Sequence, residues 1–146
     1  MLLLSGCAVK DFDTKYSSHI TIRAEGLRYS DMGFIYESNR EVKAQIYSLA
    51  NPVFTLRMHG NICINRACYN YERFNREYLH PSYPDRLIND LFRKRPIFDE
   101  KNLVTTKEGF TQKIRSNQYD IIYSVTKDSM RFEDKKNRIL IQIQQL

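Results

Sequence analysis

The stretch Val42-Lys43-Ala44-Gln45-Ile46-Tyr47-Ser48-Leu49-Ala50-Asn51-Pro52-Val53-Phe54-Thr55-Leu56 decides the fold class. Val42, Ala44 and Ile46 alternate with Lys43 and Gln45. After a break at Asn51-Pro52, Phe54, Leu56 and Met58 alternate with Thr55 and Arg57. A period of two sends successive side chains to opposite faces, so each run predicts a strand with one buried and one wetter face. Two such runs around a short polar break predict an antiparallel pair.

The same pattern extends upstream and a little downstream. Ile20, Ile22 and Ala24 alternate with Thr21 and Arg23 up to Gly26, and Phe34 and Tyr36 keep the period. Ile62 and Ile64 follow the Gly60-Asn61 pair, which suits a two-residue hairpin loop. Asp31-Met32-Gly33 and Ser38-Asn39-Arg40 read as further breaks.

Pro84–Pro96 reads differently. Pro84 suits a first helical turn and Asp85 complements the N-terminal dipole. Leu87, Ile88, Leu91 and Phe92 form one apolar stripe, and Pro96 ends the segment. Arg93-Lys94-Arg95 serve either a lipid head group or the helix C-terminal dipole. Strands return with Tyr119, Ile121, Tyr123 and Val125, then Met130 and Phe132, a polar turn at Asp134-Lys135-Lys136-Asn137, and Ile139, Ile141 and Ile143. The predicted class is α+β, a curved antiparallel sheet with a central helical insertion.

Leu4-Ser5-Gly6-Cys7 has the form of a lipobox, where a prolipoprotein is cut and its new N-terminal cysteine acylated. Small residues admit the backbone to a peptidase cleft and the thiol takes the diacylglycerol. Residues 1–6 then read as the remnant of a signal whose start lies upstream, and 7–18 as an acylated N-terminus and tether. Ala8 follows the cysteine where many enteric bacteria place an inner-membrane retention Asp, which favours the outer membrane, periplasmic side.

The formal charge of +6 falls wholly after Cys7 and favours anionic partners such as phospholipid head groups or lipopolysaccharide. Export argues against nucleic acid. Cys63 and Cys68 can form a disulfide in an exported protein, or stay as two half-buried thiols. His59 with these cysteines is too irregular for a metal site, and no metal or cofactor is expected. No Gly-rich phosphate loop and no Gly-x-Ser-x-Gly elbow occurs, so no enzyme is expected. Tyr69, Tyr71, Phe74, Tyr78 and Tyr83 suit either the wall of an acyl-chain cavity or an ordinary core.

The order of parts resembles the LolB-type outer-membrane lipoprotein receptors. The resemblance rests on the strand, Asn51-Pro52-Val53 turn and strand quoted first, on the Pro84–Pro96 segment with Arg95-Pro96-Ile97, on Gln118-Tyr119-Asp120-Ile121-Ile122-Tyr123, and on Arg138-Ile139-Leu140-Ile141-Gln142-Ile143. It implies a half-open β-barrel covered by helices over 19–146, a single monomeric domain with an apolar cavity. Val42, Ala44, Ile46, Leu56, Met58, Leu87, Leu91 and Tyr123 are its candidate lining. It also implies partners: the outer-membrane bilayer, acylated lipoproteins and a soluble periplasmic carrier. Pro52, Val53 and Phe54 would form the membrane-delivery turn, although Val53 could equally begin a strand and be buried. The alternative is a structural lipoprotein whose basic face binds envelope components without transfer.

Overall fold

Alternation in the sequence becomes alternation of burial in the strands. The computed structural model describes residues 13–146. The first half holds β1 (Thr14–Ala24), β2 (Leu27–Glu37), β3 (Val42–Ser48), β4 (Asn51–Met58), β5 (Ile62–Ile64) and β6 (Ala67–Tyr69). Two helices follow, α1 (Tyr71–Tyr78) and α2 (Leu87–Phe92), with a single 3-10 turn at Phe98–Glu100. The second half holds β7 (Leu103–Thr105), β8 (Gly109–Arg115), β9 (Asp120–Thr126), β10 (Ser129–Asp134) and β11 (Ile139–Gln145). In β3, β9 and β11 the buried residues are Val42, Ala44 and Ile46, then Ile121, Tyr123 and Val125, then Ile139, Ile141 and Ile143.

All strands belong to one antiparallel sheet of 11 strands, in the order β6-β5-β4-β3-β2-β1-β11-β10-β9-β8-β7. β1 and β11 pair at its centre, Ile20 opposite Ile143 and Ile22 opposite Ile141, and so join the two halves of the chain. β6 and β7 are the edges, and the helical segment runs between them in sequence.

The α+β expectation, with a half-open barrel under a helical cover, is therefore corrected. The described residues are 54% strand and 13% helical, the sheet is open, and no helical insertion covers a barrel. α2 has only six residues. Lys94 takes a left-handed φ of 56°, so Arg93-Lys94-Arg95 lie past the helix end and not in its last turn. α1 was not expected; Asn70 caps it by accepting from the Arg73 amide at 2.8 Å. Two helices this short cannot roof a sheet of this width. Their buried residues, Phe74, Leu87, Ile88, Leu91 and Phe92, instead join the strands in one core.

Polar side chains fasten this segment to both halves of the sheet. Tyr71 donates its hydroxyl to the His59 carbonyl at 2.6 Å, and Arg93 Nη2 donates to the Ser38 carbonyl at 2.8 Å. Tyr123 donates to the Arg95 carbonyl at 2.8 Å. Buried Gln112 accepts from the Ile97 amide at 2.9 Å and donates to the Ile97 and Lys101 carbonyls at 2.8 and 2.7 Å. The Gln112 side chain gives buried Ile97 a partner for its amide and a second one for its carbonyl, which also accepts from the Glu100 amide.

Two boundaries differ from expectation. β1 begins at Thr14, so Thr14–Ser18 pair with β2 and are strand, not tether. β2 runs unbroken through Asp31-Met32-Gly33. Gly33 is there because a Cβ would come within 2.2 Å of the Gln45 carbonyl oxygen and 2.9 Å of Ile20 Cδ1.

The up-and-down topology sorts the turns. The β1–β2, β3–β4, β5–β6, β8–β9 and β10–β11 turns share one end of the sheet. The described chain enters at the other end, where Thr14 lies opposite Glu37 beside the β2–β3 turn.

Candidate functional site

The β3–β4 turn carries the most exposed large apolar side chain among the described residues. Ser48 pairs with Asn51, leaving Leu49 and Ala50 as a two-residue loop. Both are left-handed, at φ 49° and 66°. A hairpin loop of this shape favours Asn-Gly, because a Cβ at positive φ meets its own backbone. Here the first position is a leucine, 94% exposed. Asn51 Nδ2 donates to the Leu49 carbonyl at 3.4 Å. Ala50 and Pro52 are exposed, and Val53 is 44% exposed. An irregularity in the β3–β4 pairing at Ile46/Tyr47 adjoins the turn.

The structure divides the three turn residues expected from the sequence. Pro52 and Val53 are exposed beside the tip. Phe54 is not; it is 1% exposed, paired opposite Ile46 and stacked on Tyr29. As the first inward residue of β4 it follows the strand alternation that the sequence already displayed. The sequence pattern puts the break at Asn51-Pro52 and so passes over Leu49, the tip itself. The available signal was two small-loop positions, Leu49-Ala50, between a strand end and an Asn-Pro pair.

Val42, Ala44, Ile46, Leu56, Met58, Leu87, Leu91 and Tyr123 are brought together, each at most 1% exposed. They belong to the common core and do not line any of the described surface depressions. Ring contacts fill the same space. Tyr83 lies edge-on to Phe132 and Tyr123 edge-on to Phe132 and Phe110, with centroids 5.6–6.4 Å apart. Tyr69 and Tyr78 meet edge-on nearer β6 and share a hydroxyl contact of 3.1 Å.

Cys63 and Cys68 are bonded to each other across β5 and β6, with their Cα atoms 4.0 Å apart. Cys7 lies outside the described residues. Two buried carboxylates have partners. Glu41 accepts from Arg57 Nε at 2.8 Å. Asp134 accepts hydrogen bonds from the Tyr83 hydroxyl, from the backbone amides of Asp120, Lys136 and Asn137 at 3.0–3.2 Å, and from Asn137 Nδ2 at 2.7 Å. Burial pushes the Asp134 carboxyl upward, but these hydrogen bonds outweigh it and hold the group below the usual carboxylate range.

What the β3–β4 turn offers is a small apolar surface at one end of the sheet. No protein-family model matches the chain, and no curated protein matches it.

Proposed function

We propose that this chain is a lipid-anchored protein of the bacterial outer membrane, facing the periplasm, that delivers acylated lipoproteins into the bilayer. The single observation behind the reading is Leu49, held at the tip of a tight turn in a backbone conformation that leucine disfavours. A solvated leucine gains about 2 kcal/mol on entering an apolar phase. That is too little to hold a protein on a membrane, but enough to orient one already tethered through Cys7. Moving an intact acyl chain into the bilayer breaks no covalent bond and needs no catalytic group, since each methylene that leaves water for lipid contributes about 0.8 kcal/mol. A soluble periplasmic carrier would bring the cargo.

A second reading, an interaction lipoprotein without transfer activity, is favoured by the packing of all eight expected cavity residues into the core. The deciding experiment replaces Leu49 and Val53 by Glu in cells depleted of the native protein. Delivery of lipoproteins should fail while the protein stays abundant and membrane-bound. Full delivery by the double variant sinks the transfer reading. Mass spectrometry of acylated peptides bound to the purified full chain then separates the two: their recovery favours transfer, and a clean protein favours the second reading.

A further inference from the structure

Arg23 and Arg28 sit directly opposite each other in the β1–β2 register, and both are exposed. Like charges so placed repel and weaken the pair. Arg138 joins them from the β10–β11 turn, exposed and left-handed at φ 56°. On the neighbouring strand Arg23 lies opposite Leu140, two residues beyond Arg138. With Ala24, Glu25 and Asn137, the three arginines line a depression of about 370 Å3. Arg23 and Arg138 also line the adjoining one, of about 330 Å3, with Lys135.

Among the described residues, none of the three arginines forms an ion pair. The nearby carboxylates are partly committed. Asp134 is consumed by Tyr83, Asn137 and turn amides, and Glu133 lies 3.4 Å from Arg131. Glu25 alone remains at the first depression. The cluster lies at the same end of the sheet as the Leu49 turn, with Lys136 in the same turn as Arg138 and Arg66 in the β5–β6 turn of that end.

We propose that Arg23, Arg28 and Arg138 form a docking site for the phosphates of an anionic lipid surface. Guanidinium groups are planar forks that match phosphate oxygens bidentately, and three around one depression can share a single phosphodiester. The occupant follows from charge complementarity and from the apolar tip at the same end of the sheet: a surface with phosphates above an apolar interior. The site deepens the membrane reading given above and rests on it for orientation alone.

The test uses the full chain carrying Cys7→Ser, so that no acyl anchor dominates, and sedimentation with vesicles. Binding should be stronger to phosphatidylcholine mixed with phosphatidylglycerol than to phosphatidylcholine alone, and should weaken with salt. Replacing Arg23, Arg28 and Arg138 by Gln should remove about fivefold per arginine, on the order of a hundredfold together, from the anionic preference. A control triple, Arg40, Lys107 and Lys127 to Gln, removes the same charge at the opposite end and should cost far less. Equal losses from the two triples would overturn the site, as diffuse net charge would then explain the attraction. Release of the bound chain by inorganic phosphate at constant ionic strength would also overturn it, reassigning the cluster to a soluble anion. Unfolding curves of both triples confirm that the fold is intact. Leu49→Glu is read on neutral vesicles, so failure of the apolar tip and failure of the arginine site register separately.

Discussion

Phe54 stacks on Tyr29 with ring centroids 4.3 Å apart and planes inclined by 30°, tying β4 to β2 across the end of β3. The contact fixes the strand that leaves the Leu49-Ala50 turn. Phe54→Ala should cost about 3–5 kcal/mol, the usual toll for emptying a buried aromatic site. Urea denaturation measures it. A change within experimental error would show that Phe54 does not anchor the turn.

Leu49→Gly makes the opposite prediction for stability. Glycine accepts φ 49° without a Cβ clash, so the folded protein should gain about 1 kcal/mol and melt slightly higher. The same change removes the apolar tip and should weaken partition onto neutral vesicles. A more stable chain that binds as before would separate the turn from the membrane.

Asp134 predicts an acid-sensitive term. Its folded pKa lies below the ordinary 3.8, so its contribution is present above that value and disappears as pH falls through the folded one. Asp134→Asn should cost about 3 kcal/mol at neutral pH, since Tyr83 and the turn amides lose a charged acceptor. The gap between the native chain and the variant should narrow below about pH 4. A gap constant from neutral pH into strong acid contradicts the assignment.

The Cys63–Cys68 bond holds the three-residue edge strand β6 to β5. Closing so short a loop stabilises by about 2 kcal/mol in the chain-entropy account. Reduction should lower the melting temperature modestly and expose the β5 and β6 amides to hydrogen exchange before the centre of the sheet. Uniform exchange would place the bond outside the edge's stability.

Cys7→Ala should move the protein from the membrane fraction to the soluble fraction on cell fractionation. Persistent membrane association would remove the lipid anchor from the account.

Strands were legible wherever an inward residue is apolar and an outward one polar. Val42–Ile46, Phe54–Met58 and Ile139–Ile143 are of that kind. Thr14–Ser18 carries no such contrast; it is strand because β2 offers it a full-length partner. Gly33 looked like punctuation, yet it answers a close backbone approach that only tertiary structure reveals. The apolar stripe on Leu87–Phe92 was readable, but the helix is shorter than the stripe's flanking prolines suggest, and α1 was hidden among aromatics that served both readings. At the site, the neighbourhood of the turn could be read while its tip could not. Leu49 falls out of phase with Val42, Ala44 and Ile46, and only the Ser48–Asn51 pairing shows that it forms the tip.

The entry of β1 at the end opposite Leu49 has a consequence for reach. Thr14 lies level with Glu37, and Glu37 with Val42, so the seven steps from Val42 to Leu49 set the drop from chain entry to tip at about 23 Å. Seven residue steps separate Cys7 from Thr14, a contour of at most about 24 Å. Under the proposed acylation of Cys7, that contour only just matches the drop, so lengthening the chain before Thr14 should ease contact between the tip and the anchoring leaflet.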